Sequence, residues 1–148
     1  MPQFGAPLPG RVHRDRPAAF GIATRDGLIA LVRVRPVEGG DWLDLPGGAI
    51  DPGEDEVLAV VREFGEETGL VIVAGRRIVS ASQYFVMTDG EAVNNHCGVY
   101  AAEVTGADPA LKIEDDHELV WIDPFEAVKR LRHEAHAWAV AKWLRDGT

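Results

Sequence analysis

The sequence holds little that would tie the protein to an oxidising compartment, a membrane or a polyanion. Cys97 is the single cysteine among 148 residues, so no disulfide can form within the chain. No apolar run approaches the ~20 residues of a membrane-spanning helix, and no signal-peptide pattern follows Met1. Acidic residues outnumber basic ones, 24 against 15, for a formal net charge of −9. We therefore expect a cytoplasmic protein that binds no membrane and no nucleic-acid polymer.

The composition is that of an ordinary globular domain, and 148 residues suffice for one hydrophobic core. Residues 1–17 contain four of the nine prolines and predict an extended N-terminal arm. Residues 18–148 are expected to form a single domain. The arm carries Arg11, Arg14 and Arg16, which either are solvated or reach a ligand or a partner subunit.

Short apolar runs between turn residues predict a series of strands. The dipeptide Asp26-Gly27 predicts a tight hairpin between the first two strands, and a loop is expected over 36–41. Asp123-Pro124 predicts the start of a closing helix that breaks near residues 132–133 and resumes to Leu144. The predicted strands cover residues 18–24, 28–34, 42–45, 70–73, 78–87, 96–104 and 119–122.

Residues 48–70 form the most informative stretch, and they predict a loop, a helix and a helix stop. The helix is expected over 52–68, with Asp51 as its N-cap and Pro52 at its first position. Gly69 is placed to end the helix in a left-handed conformation.

Three glutamates, Glu63, Glu66 and Glu67, follow one another at i, i+3 and i+4, so they share one helix face. Val57 and Phe64 fall on the other side, toward a core. Like charges at this spacing repel by ~0.2–0.5 kcal/mol per exposed pair, and the helix dipole disfavours them in the last turns. Such a face is either solvated or a ligand set for a hard divalent cation such as Mg²⁺. Both interpretations are open at this point.

The spacing in this stretch matches all nine defined positions of the Nudix box, a highly specific pattern. The chain therefore resembles the Nudix hydrolase family, which includes the MutT-like enzymes. The matching residues are Gly48, Glu54, Arg62, Glu63, Phe64, Glu66, Glu67, Gly69 and Leu70.

The resemblance implies an α/β fold, namely an α/β/α sandwich around a mixed β-sheet. It also implies Mg²⁺-dependent hydrolysis of a pyrophosphate bond in a nucleoside diphosphate linked to another moiety. In this reaction a metal-activated water attacks phosphorus. Mn²⁺ is the expected substitute ion, a small-molecule nucleotide is the expected partner, and a homodimer is an open option.

The resemblance also assigns roles to individual residues of this chain. Glu63 and Glu67 correspond to the primary metal ligands, and Glu66 corresponds to a ligand through a direct or water-mediated contact. The carbonyl of Gly47 is the expected backbone ligand. Arg62 resembles the box arginine that orients a glutamate.

Three further box residues are expected to shape the site. Glu54 resembles the glutamate that holds the loop and the helix start, where a capping role and a direct role are both open. Gly48 and Gly69 are expected to be structural.

The general base is either a box glutamate or an acid on a later loop, which here spans residues 114–118. Glu118 is the first choice as base or additional ligand, followed by Asp115, Asp116 and Glu114. A solvated loop acid is the alternative for each of them. His117 is a further candidate in the same loop.

Substrate recognition must come from residues outside the box. Trp42, Tyr84 and Phe85 are the candidates, although packing is the alternative role for each aromatic ring. The neighbourhood of Tyr84 lacks the proline of the family's ADP-ribose hydrolases. The family's diadenosine polyphosphate hydrolases have a tyrosine in roughly this region, so Tyr84 keeps a diadenosine polyphosphate open as substrate. A nucleoside triphosphate is equally open.

Two readings compete with an active hydrolase. One is a non-catalytic Nudix-fold module that binds nucleotides or regulates a partner, but such modules usually lose box residues. The other is an isomerase acting on an isoprenoid diphosphate, which the short chain and the missing catalytic cysteine context disfavour.

Overall fold

The computed structural model describes residues 1–35 and 41–147. The loop predicted over 36–41 lies outside the described residues except for Asp41. In the described part the chain forms eight strands, three α-helices and a 3-10 turn at Pro109–Leu111. The strands are β1 (Gln3–Phe4), β2 (Arg14–Arg25), β3 (Leu28–Val34), β4 (Trp42–Asp44), β5 (Gly47–Ala49), β6 (Leu70–Val86), β7 (Ala92–Ala107) and β8 (His117–Ile122). The helices are α1 (Glu56–Thr68), α2 (Pro124–Arg130) and α3 (Glu134–Arg145).

The strands form one curled, mixed sheet in the order β1-β6-β7-β2-β3-β4, with β5 paired to β2 and β8 paired to β3. The pairs β1–β6 and β2–β7 are parallel, and the other pairs are antiparallel. Because β2 lies between β7 and β5, it connects the long β6–β7 hairpin to the box.

Helices cover both faces of this sheet, because side chains along β2 alternate between two cores. Phe20 and Ile22 pack with Val140 of α3 on one face. Ala19 packs with Phe64 of α1 on the other face. The predicted α/β/α arrangement around a mixed sheet is confirmed.

The start of α1 differs from the prediction. The helix begins at Glu56 and not at Pro52, and its N-cap is Asp55, which accepts a hydrogen bond of 2.8 Å from the N–H of Leu58. Gly53 has a φ of 81°, a left-handed conformation that cannot continue a helix. The residues expected to open the helix therefore form a separate turn ahead of it.

The buried stripe of α1 also differs from the predicted one. Val57 is 42% exposed, whereas Val60 and Phe64 are fully buried. They pack against Gly21, where a Cβ atom would lie 2.7 Å from the Phe64 ring. The helix ends as predicted, with Gly69 at a φ of 75° and its N–H donating to the carbonyl of Gly65.

The predicted hairpin turn is confirmed, with Asp26 and Gly27 at φ angles of 53° and 79°. Residues 70–73 and 78–87, predicted as two strands, form the single strand β6. β6 stays paired with β7 along its length, although the register shifts at several places between Val71 and Val79. β7 likewise runs beyond its predicted ends. The predicted break in the closing helix is confirmed by the gap between α2 and α3.

The N-terminal segment is attached to the sheet at both of its ends. β1 pairs with β6, and Arg14 to Pro17 pair with β7 as part of β2. The division of the chain into an arm and a domain stays a prediction, but its boundary at Pro17 falls inside β2.

Across the described residues, no helix is both long and apolar enough to cross a membrane. The cytoplasmic location and the homodimer stay predictions.

Candidate active site

A cleft of about 220 Å³ opens where β2, β5 and the C-terminal half of α1 meet the loop before β8 and the start of α3. It brings together the predicted site residues Gly47, Gly48, Glu63, Glu67 and Phe85 and several residues that the sequence did not single out. Its lining residues are Arg16, Phe20, Val34, Asp44, Gly47, Gly48, Glu63, Glu67, Phe85, Met87, Thr88, Asn95, Glu114, Asp116, His117, Arg132, His133 and His136.

The glycines of β5, Gly47 and Gly48, leave room for the glutamates of α1. Gly47 has a φ of 149°, and a Cβ atom there would lie 2.2 Å from the carbonyl oxygen of Ala19. Its N–H donates a hydrogen bond of 3.0 Å to Oε1 of Glu67. A Cβ atom on Gly48 would lie 2.9 Å from the carboxyl carbon of Glu63. A larger residue at Gly48 would displace the Glu63 carboxylate, and one at Gly47 would clash with β2 and move the N–H that binds Glu67.

Arg62 organises the surrounding acids. Its guanidinium donates to Glu54 at 2.8 and 2.9 Å, and to Glu63 and Glu66 at 3.0 Å each. It also donates to the carbonyl of Ala49 at 3.0 Å. The hydrogen bonds from Arg62 lower the pKa of Glu54 to about 2. Arg62 thus ties the turn to the helix and partly neutralises its acidic face.

Glu63 and Glu67 lie deeper than the other two box acids. Glu67 is 6% exposed, and burial raises its pKa well above the ordinary value, although the Gly47 N–H opposes this. Burial also raises the pKa of Glu63, with Arg62 opposing the effect. Both carboxylates are therefore held where their charge is poorly solvated.

The loop before β8 supplies a second set of ligand-type side chains. The N–H groups of Ile113 and Glu114 both donate to the carbonyl of Glu66, at 2.9 and 3.1 Å. These bonds fix the loop to the end of α1. Ligand atoms of Glu114, Asp116 and His117 lie within 4.8 Å of one another.

His117 joins this loop to the box, because its Nε2 lies 3.2 Å from Oε2 of Glu67 and its Nδ1 lies 2.8 Å from Asp116. We call the side chains of Glu63, Glu67, Glu114, Asp116 and His117 the acidic wall.

Glu118, the first choice for the base, does not line the cleft. It forms ion pairs with Arg33 at 2.7 Å and with Arg35 at 3.1 Å, and it pairs with Arg33 in the β3–β8 register. Successive side chains of a strand point to opposite faces. His117 therefore faces the cleft and Glu118 does not.

The opposite side of the cleft is aromatic, and we call it the aromatic wall. The ring of Phe85 lies 4.6 Å from that of His133, and the ring of Phe20 lies 4.4 Å from that of His136. The guanidinium of Arg132 lies 5.7 Å from the Phe85 ring. The aromatic wall consists of Phe20, Phe85, Arg132, His133 and His136.

Of the three predicted aromatic residues, only Phe85 lines the cleft. Tyr84 points to the other face of β6, where its ring meets His13 at 5.1 Å. Trp42 lies under the guanidinium of Arg132, 4.3 Å from it, and supports the wall from outside the cleft.

The ionisable groups of the aromatic wall are either paired within the protein or uncharged. Arg132 forms a two-point ion pair with Asp44, at 3.1 and 2.5 Å. Burial lowers the pKa of His133 and of His136 to about 3, so both imidazoles are neutral near pH 7. Nδ1 of His136 accepts the N–H of Leu45 at 3.2 Å. Sequence reasoning missed these residues, for which the i, i+3 spacing of the two histidines was a weak signal.

The acidic wall fits a hard divalent cation. It converges several carboxylate oxygens on one side of the cleft, and oxygen ligands are those that Mg²⁺ prefers. Glu63 and Glu67, with raised pKa values, are the groups whose charge a cation would stabilise most. Glu114 and Asp116 line the same cleft.

Comparison with known proteins agrees with this geometry. The NUDIX domain family matches residues 14–144. The chain belongs to the Nudix family. Among solved structures, a Nudix hydrolase from Nitrosomonas europaea shares the fold with a TM-score of 0.73. It is 18% identical, and the match covers 90% of each chain.

Two sequence relatives are named for nucleotide hydrolysis. A CTP pyrophosphohydrolase of Escherichia coli is 31% identical over 111 residues, which cover 73% of this chain and 76% of that protein. An 8-oxo-(d)GTP phosphatase of Mycolicibacterium smegmatis is 36% identical over 93 residues. That match covers 63% of this chain but 27% of the relative, so the chain corresponds to about a quarter of its length.

Proposed function

We propose that the protein hydrolyses the pyrophosphate bond of a small nucleotide in a reaction that requires a divalent cation, with Mg²⁺ as the working ion. The acidic wall carries this proposal. Glu67 is buried with a raised pKa, and its contacts are a backbone N–H and His117. A cation supplied from solution explains why carboxylates are gathered at a poorly solvated place.

Glu63 and Glu67 are the proposed principal ligands, with the carbonyl of Gly47 beside them. When bound, the ion would neutralise pyrophosphate oxygens and make a water molecule a stronger nucleophile. Glu66 is proposed to act through water, because it does not line the cleft, whereas Glu63 does.

The base is proposed to be Glu114 and not Glu118. Glu114 lines the cleft and is fixed to the end of α1 by its backbone N–H, whereas Glu118 is ion-paired to two arginines outside it. A carboxylate beside the reacting phosphorus can accept the proton of the attacking water. Arg62 is proposed to keep the acids of α1 in position throughout.

The nucleoside is proposed to bind at the aromatic wall, with its base against Phe85. The names of the two relatives point to nucleoside triphosphates, which would yield a nucleoside monophosphate and pyrophosphate. The position of Tyr84 on the other face removes the feature that favoured a diadenosine polyphosphate. The complete box argues against a non-catalytic module.

A substrate panel with and without Mg²⁺ tests the proposal. It contains the nucleoside triphosphates, ADP-ribose, nucleotide sugars and dinucleoside polyphosphates, with released products separated by ion-exchange chromatography. We expect Mg²⁺-dependent release of nucleoside monophosphate and pyrophosphate from at least one triphosphate. Absence of metal-dependent hydrolysis of every compound would overturn the hydrolase proposal, and a preference for ADP-ribose would overturn the substrate class.

A further inference from the structure

The three arginines of the N-terminal segment lie in different surroundings. Arg11 donates to the carbonyl of Gly90 at 2.8 Å, and Arg14 is exposed and ion-paired with Glu91 at 2.6 Å. Arg16 instead lines the cleft, where its Nη1 donates to Oδ1 of Asn95 at 2.9 Å. Only Arg16 of the three therefore faces the proposed substrate.

The charge of Arg16 has no close counter-charge. Among the described residues no carboxylate oxygen lies within 4.0 Å of its guanidinium, in contrast to the paired Arg62 and Arg132. Burial lowers the pKa of Arg16, while the more distant Glu63 opposes this effect. A partly buried cation with a neutral amide as its partner is unfavourable until an anion arrives.

The position of Arg16 in the sheet indicates which anion its guanidinium would bind. Phe85, Asn95, Arg16 and Gly48 line the cleft from four neighbouring strands, β6, β7, β2 and β5. The strand register places Phe85 level with Arg14 and Gly48 level with Ala19, so Arg16 lies between these two positions both across the sheet and along β2. Arg16 lies between the aromatic wall and the acidic wall, where the phosphate next to a nucleoside would come to rest.

We propose that Arg16, oriented by Asn95, binds the phosphate that stays attached to the nucleoside, independently of the metal ion. The guanidinium presents N–H groups in a planar fork that matches two phosphate oxygens. Asn95 occupies one N–H and sets the direction of the others. The identity of the anion as a nucleotide phosphate rests on the proposed function, whereas the need for an anion rests on the charge of Arg16.

Isothermal titration calorimetry in EDTA tests this role apart from catalysis. The probes are AMP, CMP, GMP and UMP together with the corresponding nucleosides. We expect the wild type to bind at least one monophosphate about ten- to hundredfold more tightly than its nucleoside. Arg16→Gln should remove this difference and change nucleoside affinity less than about twofold. Arg14→Gln, two residues away on the same strand, is the matched control and should change neither affinity.

Circular dichroism and thermal unfolding establish that each variant is folded. Arg16→Lys keeps the charge and should bind the monophosphate more tightly than Arg16→Gln. The proposal is overturned by a wild type without preference for the monophosphate, by a folded Arg16→Gln with wild-type affinity, or by equal affinities of the lysine and glutamine variants. Failure of hydrolysis with retained Arg16-dependent binding would count against the proposed function alone.

Discussion

The two walls of the cleft differ in how well their buried ionisable groups are stabilised within the protein. The aromatic wall buries ionisable groups that are already satisfied, because Arg132 is paired with Asp44 and the histidines have their pKa lowered to about 3. The acidic wall buries Glu63 and Glu67, whose pKa values are raised because their charge lacks solvation. The difference supports the proposal that the aromatic wall needs no further partner and that the acidic wall binds a cation.

The largest expected effect comes from removing a charge from the acidic wall. Glu67→Gln keeps the shape of the side chain and should lower the rate of hydrolysis by about 10²-fold or more, as for other charge-stabilising groups. Rates at saturating substrate and Mg²⁺ measure the effect. Glu103→Gln, an exposed change on β7, is the control and should stay within about twofold. Retained activity in Glu67→Gln would reject the ligand assignment.

A second pair of variants separates the two loop acids. Glu114→Gln should lower the rate at least tenfold, because it removes a cleft carboxylate proposed as the base. Glu118→Gln should lower it less than about threefold, since its partners are Arg33 and Arg35 outside the cleft. The pH–rate profile should change for the first variant only. The reverse order of effects would restore Glu118 as the base.

A third pair tests the aromatic wall. Phe85→Leu should raise KM about five- to tenfold through lost stacking on the base, with a smaller change in kcat. Tyr84→Leu is the neighbouring change on the opposite face and should leave KM within about twofold. Equal effects of the two variants would show that the nucleoside does not lie against Phe85.

The smallest expected effect is the acid sensitivity that the aromatic wall gives to folding. His133 has a folded pKa of about 3, below the ~6.5 of the unfolded chain, so its contribution is lost as pH falls below 6.5. Between pH 7.5 and 5.5 this amounts to about 1.4 kcal/mol. We measure the free energy of unfolding by urea in EDTA at both pH values. The loss of stability on acidification should be smaller by this amount in His133→Asn than in the wild type.

The acidic wall contributes with the opposite sign in the same buffer. The raised folded pKa values of Glu63 and Glu67 mean that their contribution is present at low pH and is lost as pH rises through those values. The wild type and His133→Asn share this contribution, so it cancels when their free energies of unfolding are compared. An unchanged difference in stability across the pH range would show that His133 titrates normally in the folded state.

The sequence was sufficient for the parts of the site that lie on one helix. Glu63 and Glu67 share a face by helical spacing alone, and Gly69 marks the end of the helix. The start of the helix was missed because Asp51 and Asp55 are both good caps. Only the left-handed conformation of Gly53 decides between them.

Residues on strands were harder to assign, because a one-residue difference moves a side chain to the other face. Tyr84 and Phe85 are equivalent candidates until the β6–β7 register is known. Glu118 was wrongly preferred to Glu114 because its direction depends on pairing between β3 and β8, which the sequence does not report. His133 enters the site through the packing of α3, which local spacing does not report.

The central claim is that the acidic wall is a cation site. The change in the free energy of unfolding on cation binding tests it most directly. Mn²⁺ binding is followed by electron paramagnetic resonance, and urea unfolding is measured with and without Mg²⁺ for the wild type and Glu67→Gln. A wild type at a hundredfold excess over Kd should gain about 2.7 kcal/mol, and the variant should gain little. If neither ion binds the wild type or changes its unfolding, the acidic wall is not a cation site.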